Sequence, residues 1–243
     1  MEMTMGTTII YLASCSMSAL IQSVSGFGFA IFMMSVIPNF MPYATSTVLS
    51  GLLSLGTNVA NVTRYRKRIN WKLIIVPAIS YFSISYLVIN FAAGSSDATL
   101  KKILGVVLII LSIYFLFFSS RIRIKPTKRN GAIAGGLSGV MGGLFSMSGP
   151  PIVVYMLSTN TEKEEYLGTI QTFFLITNVY TSVLRILKGM VTLDMLWLVG
   201  AGMICSGLGF IVGVRLLKRI DAAMLKKIIY GFMAISGLSM ILH

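Results

Sequence analysis

The sequence predicts an all-α polytopic membrane protein made of two inverted repeats, each a re-entrant, broken helical hairpin followed by three transmembrane helices. Three observations carry that prediction. The chain is 56% hydrophobic and 11% charged, with a mean hydropathy of +0.85, whereas a soluble domain carries about a quarter charged residues. Its charges are gathered between long uncharged runs: 3–63, 73–96, 103–120, 130–161, 166–184, 195–214 and 228–243 hold no Asp, Glu, Lys or Arg. About 20 apolar residues cross a ~30 Å hydrocarbon core as a helix, so the two longest runs must each hold more than one helical piece. The third observation is a weak internal repeat with a period near 124 residues.

The repeat rests on four matches in the same order. Ser25-Gly26 is echoed by Ser148-Gly149, and Thr57-Asn58-Val59 by Thr177-Asn178-Val179. Arg64 and Trp71 correspond to Arg185 and Trp197, and the block opening at Asp97 to the block opening at Asp221. The first repeat is read as 1–125, with a hairpin over 6–37 and helices over about 45–63, 73–93 and 103–120. The second is read as 126–243, with a hairpin over 130–157 and helices over about 166–186, 193–214 and 227–242. The hairpins are expected to turn at Ser23-Val24-Ser25-Gly26-Phe27-Gly28 and at Ser146-Met147-Ser148-Gly149-Pro150-Pro151, where residues that stop helices cluster. No basic segment precedes the first apolar run and no clear cleavage site follows it, so that run is expected to stay in the mature protein.

Positive charge selects the orientation. If both hairpins return to the side they entered from, loops 64–72, 120–129, 158–165 and 215–227 share the cytoplasm with sixteen of the twenty Lys and Arg. If each crosses once, the split is twelve to eight. The re-entrant arrangement is therefore expected, in a bacterial inner membrane, with both termini outside the cytoplasm. Three crossings per repeat then invert one half relative to the other, a common transporter plan that holds substrate near the midplane where broken helices meet.

Composition also excludes chemistry. Cys15 and Cys205 sit in apolar runs and read as packing residues, and the only histidine is the final residue, His243. No nucleophile–base pair and no metal-ligand cluster can be assembled, so no catalytic residue, metal or cofactor is expected, and the chain is not read as an enzyme. The net charge of +13 lies in short interhelical loops. There it reads as topology and contact with anionic lipid, with no nucleic-acid partner.

Two stretches resemble the sulfite exporter (TauE/SafE) family, also grouped with toluene sulfonate uptake permeases. The first is Gln22-Ser23-Val24-Ser25-Gly26-Phe27-Gly28-Phe29-Ala30, followed by Pro38. The second runs from Gly139 through Gly142-Gly143-Leu144-Phe145-Ser146-Met147-Ser148-Gly149-Pro150-Pro151 to Tyr155. With the two-part layout, the resemblance covers nearly the whole chain. It implies transport of sulfite, sulfoacetate or another organosulfonate, with export expected.

The residues suit an anion on their own terms. A broken helix leaves about four N–H groups unpaired at the start of its second half, and the helix dipole adds partial positive charge there. Substrate contacts are therefore expected from Ser23, Ser25, Gly26, Phe27 and Gly28 at one tip and from Ser146, Ser148, Gly149 and Pro150 at the other. Tight helix packing is the competing role of the small residues; binding is favoured because the feature occurs in both halves. Asn58 with Asn61, and Gln171 with Asn178, share helix faces and offer amides to sulfonate oxygens or to a hairpin backbone. Arg64 and Arg185 are expected to snorkel to the membrane edges. Gly135, Gly136, Gly207, Gly209 and Gly213 are expected to serve packing. An anion channel, a non-transporting membrane scaffold and a homodimer stay open as alternatives.

Overall fold

The computed structural model describes residues 4–118, 124–125, 127–158, 162–216 and 222–242, with only the backbone described at 118, 216 and 222–228. Asp221 and His243 lie outside the described residues, as do Arg121, Arg123, Lys218 and Arg219 of the basic loops.

The described residues form helices and no strand. Helix α1 (Met5–Ser25) is capped by Thr4, whose hydroxyl accepts the Thr7 N–H, and it ends where Gly26 turns left-handed at φ +79°. Helix α2 (Phe29–Val36) continues as a 3₁₀ turn over Ile37–Asn39. It folds back on α1, so that Phe29, Met33 and Ile37 share one buried apolar cluster with Tyr11, Cys15 and Ala19. Helices α3 (Tyr43–Tyr65), α4 (Trp71–Ala93) and α5 (Asp97–Ile113) follow, and α5 runs into a π-helical turn over Tyr114–Phe118. The second hairpin is α6 (Lys128–Phe145) and α7 (Gly149–Leu157). It is folded back as well: the Tyr155 hydroxyl comes so close to Gly131 that an added Cβ would lie 3.0 Å from it. Helices α8 (Lys163–Leu187), α9 (Leu196–Leu216) and α10 (Ala222–Leu242) complete the chain.

Several helices begin in charged sequence, ahead of the uncharged windows. Ser96 caps α5 by accepting the Thr99 N–H, and Asp97 sits in its first turn. Glu164 and Glu165 occupy the first turn of α8, where carboxylates stabilise the positive end of the helix dipole.

The main packing pairs are α4 with α6, α1 with α9, α3 with α8 and α5 with α10. The first arm of each hairpin thus lies against a helix from the other half of the chain. Glycines make these approaches possible. A Cβ on Gly139 of α6 would lie 2.9 Å from the Tyr81 carbonyl oxygen, and one on Gly213 of α9 would lie 2.9 Å from that of Leu20. Gly135 abuts the Pro77 backbone, Gly209 the Ser16 backbone, and Gly136 the Ser80 hydroxyl. Gly207 differs from expectation: an added Cβ there would meet nothing within 4 Å. Small residues let membrane helices approach closely where lipid supplies no hydrophobic drive.

The outward faces are apolar. Ile75, Ile79, Leu87 and Phe91 of α4, Ile204 and Leu208 of α9, and Ile235 and Leu242 of α10 are exposed. Among the described residues five helical segments are long and apolar enough to cross a bilayer: Met5–Ser25, Trp71–Ala93, Asp97–Phe117, Lys163–Leu187 and Leu193–Arg215. The chain is a multi-pass membrane protein. Helix α3 has 23 residues, enough length to cross, but it buries Thr45, Ser46, Thr47, Ser50, Ser54, Thr57, Asn58 and Asn61. A helix that turns its polar residues inward, away from lipid, has a lower hydropathy than its neighbours.

Candidate anion site between two helix breaks

The two breaks meet. A cavity of about 30 Å³ is lined by Phe27, Gly28, Phe29, Ala30 and Ile31 from the first break and by Ser146, Met147, Ser148 and Gly149 from the second. Gln22, Ser54, Asn58, Phe174 and Asn178 close its remaining sides. That space holds a couple of water molecules. No charged side chain lines it.

The backbone is shaped by three unusual residues. Gly26 and Gly28 have φ of +79° and +108°, and Ser146 has φ of +56°. Glycine adopts the first two without a steric penalty. No side chain caps α2 or α7. Gly28, Phe29, Ala30 and Ile31 are the N-cap and first three residues of α2, whose N–H groups have no partner one turn back within the helix. At the second break only Ser148 and Gly149 can donate, because the next two positions are Pro150 and Pro151. The first tip is the richer donor.

The tip carbonyls are occupied. Gln171 Nε2 donates to the Gly26 carbonyl at 2.5 Å, and the single proton of Ser25 Oγ is shared between the Phe27 carbonyl at 2.5 Å and the Ile21 carbonyl at 2.7 Å. Gln22 Nε2 donates to Asn58 Oδ1 at 2.6 Å and to Gln171 Oε1 at 3.2 Å. Asn178 Nδ2 donates to Ser54 Oγ at 3.0 Å. On the other side, the Tyr81 and Ser148 hydroxyls lie 3.0 Å apart. Asn58 is 1% exposed, and its Nδ2 has no hydrogen-bond partner. A buried donor left unpaired costs about 1–3 kcal/mol, so this amide is poised to donate to something entering the cavity.

Of the residues singled out in the sequence, Phe27, Gly28, Ser146, Ser148, Gly149, Asn58 and Asn178 line the cavity. Gln171 and Gly26 sit one layer behind, bonded to each other. Ser23 and Ser25 do not line it; their hydroxyls return to carbonyls of their own helix end, Ser23 to Leu20 at 2.7 Å. The ring of Pro150 faces a separate, apolar cavity beside Pro151 and Val154. Asn61 is buried with its Nδ2 unpartnered, and it lies outside the cavity wall. Gln22, Ser54, Phe174 and Met147 are wall residues that sequence reasoning did not select. Gln22 and Ser54 carried a usable signal, a polar residue within an uncharged run.

Arg185 departs furthest from expectation. It is 2% exposed, turned inward instead of snorkelling. Its Nη2 donates to the carbonyls of Gly142 at 3.1 Å and Gly143 at 3.0 Å, and its Nη1 to Ser146 Oγ at 2.8 Å. Both carbonyls lie in the last turn of α6, where Gly142 also accepts the Ser146 N–H, and the partial negative charge of that helix end draws the cation in. Arg64 is exposed, with its guanidinium carbon 5.4 Å from the centre of the Tyr65 ring. Among the described residues no group of three or more His, Cys, Asp or Glu is placed to hold a metal ion.

No solved structure matches the chain significantly. A curated relative from Cupriavidus necator, named "Probable sulfite/organosulfonate exporter TauE", is 25% identical over 144 residues. That match covers 54% of this chain and 54% of the relative, so the chain spans about half the relative's length. The family model described as "Sulfite exporter TauE/SafE" matches residues 11–240, nearly end to end, and by that match the chain belongs to the TauE/SafE family, a family of transporters and not of enzymes.

Proposed function

We propose that this protein is a secondary-type transporter that exports a small sulfur-containing anion, sulfite or an organosulfonate such as sulfoacetate, held at the midplane between the two helix breaks. The observation that carries the reading is the unpartnered, buried Asn58 Nδ2 in the wall of a cavity that both breaks line. An oxyanion satisfies that donor together with the N–H groups at the start of α2, and the dipoles of α2 and α7 favour its charge. The name of the Cupriavidus necator relative supports the substrate class. At about 30 Å³ the cavity is not an open aqueous pore, which favours a carrier over a channel. In this reading the halves are inverted in a bacterial inner membrane, both termini lie outside the cytoplasm, and the basic turn at Arg66–Arg68 meets anionic headgroups on the cytoplasmic side.

The test is thermal unfolding of the purified protein with sulfite, sulfoacetate, thiosulfate, taurine, sulfate and chloride. A ligand at 100 times its dissociation constant stabilises by about 2.7 kcal/mol. A sulfur oxyanion is expected to raise Tm, and Asn58→Leu to abolish the rise while still folding. Folded protein that responds to none of these anions rules the proposal out.

A further inference from the structure

A second cavity, of about 290 Å³, lies between α3, α4, α5, α6 and α8, lined by Tyr43, Ala44, Thr47, Asp97, Arg185 and Lys188 among others. Arg185 forms its deepest charge. A guanidinium has five N–H donors; the three hydrogen bonds of Arg185 among the described residues leave two unused. Neither ion pair among the described residues involves Arg185. The one carboxylate in the cavity wall, Asp97, is engaged elsewhere: its Oδ2 accepts the Tyr43 N–H at 2.7 Å. Lys188 is exposed at the rim, its amine on Asn90 Oδ1. The wall therefore carries two cations against one anion.

A buried cation without a counter-charge is costly, and the carbonyl ends of α6 offset only part of that cost. A bound anion supplies the rest. Position strengthens the case, because Ser146 joins the two cavities. It lines the central one, donates to the Thr47 carbonyl at 2.7 Å and accepts from Arg185, and both Thr47 and Arg185 line the second.

We propose that this vestibule is a second anion site, selective for small soluble oxyanions such as sulfonates, in which Arg185 receives the anion as it passes Ser146 from the central cavity. The passage rests on the transport reading above; binding in the vestibule does not. The experiment places a thiol in the wall with Ala44→Cys, the parent protein serving as the labelling blank, in phosphatidylcholine nanodiscs. Modification rates are compared for an anionic methanethiosulfonate carrying a sulfonate and for its trimethylammonium counterpart. A cleft of one charge sign raises local counter-ion concentration about tenfold or more, so the anionic reagent is expected to react about tenfold faster, with saturable slowing by methanesulfonate. Arg185→Gln is expected to remove both the preference and the protection, Arg185→Lys to keep the preference and weaken the protection, and Asn58→Leu to leave both intact. The last variant separates failure of this site from failure of the central one. Equal rates for the two reagents, a preference unchanged in Arg185→Gln, or protection by phosphatidylglycerol but not by methanesulfonate would each overturn the proposal. Should Arg185→Gln not fold, the reagent ratio and its protection in the Ala44→Cys protein decide alone.

Discussion

Replacing Gly149 by alanine separates binding from packing. Gly149 opens α7 with an ordinary negative φ, and an added Cβ would meet Phe174 Cζ at 3.7 Å and Phe27 Cδ2 at 3.9 Å, both normal contacts. Nothing has to move. A compatible Gly→Ala change stabilises by about 0.4–1 kcal/mol through the unfolded chain, which for a protein of this size raises Tm by about 1–4 °C. Yet Phe27 and Phe174 both line the 30 Å³ cavity, so the new methyl group occupies space that holds a couple of waters. Losing one or two charge-assisted hydrogen bonds, at about 1.5–3 kcal/mol each, weakens anion binding roughly tenfold or more. Calorimetry with and without sulfoacetate, paired with flux into proteoliposomes, reads both quantities on one preparation. A folded variant with unchanged affinity, whatever its Tm, refutes the placement of substrate between the breaks. Gly28→Ala is the contrast: at φ +108° with Ile21 Cγ2 only 3.1 Å from the added Cβ, it is expected to lose stability by about 1–2 kcal/mol.

Other outcomes follow from the contacts. Gly135→Val drives a side chain into the Pro77 backbone; overpacking costs about 1–3 kcal/mol, read as a lower Tm. Asp97→Asn weakens the bond to the Tyr43 N–H and is expected to cost about 1 kcal/mol, measured by thermal unfolding. Tyr81→Phe removes the hydroxyl 3.0 Å from Ser148, and a stability loss of about 1 kcal/mol with altered anion affinity is expected. For orientation, Lys67→Cys is expected to react with an impermeant maleimide only in permeabilised cells and Lys188→Cys in intact ones; labelling of both from the same side excludes the inverted arrangement.

What could be read from the sequence, and what could not, has a physical division. The uncharged runs reveal an all-α multi-pass chain because lipid demands apolar outer faces. The glycine and serine clusters mark both helix breaks, since few other residues accept the left-handed φ found at Gly26 and Gly28. Helix starts at Asp97 and Lys163 are hidden from a charge-based reading, because the first turn of a helix favours carboxylates such as Asp97, Glu164 and Glu165. The cavity wall is legible where backbone chemistry carries it, at Gly28, Ser146 and Gly149. It is illegible where a distant partner decides a side chain's direction. Arg185 looks like a membrane-edge residue until the ends of α6, some forty positions away, are seen beside it. Pro150 is expected at the space between the breaks, yet it lines another cavity.

The pairing of α1 with α9 and of α6 with α4 has the form of a domain swap completed within one polypeptide. The first arm of each hairpin packs on a helix from the other half of the chain. Expressed separately, either half would present an unfilled groove to lipid, and small-residue grooves gain little from lipid tails. The two fragments are then each other's best partner, and co-expression is expected to restore the pair. A single-copy forerunner of such a chain would have been complete only as a pair of identical molecules trading arms. Were the halves duplicates, fusing them would have fixed the exchange in place and left each free to diverge, with Arg64 exposed and Arg185 buried against the turn of the second hairpin.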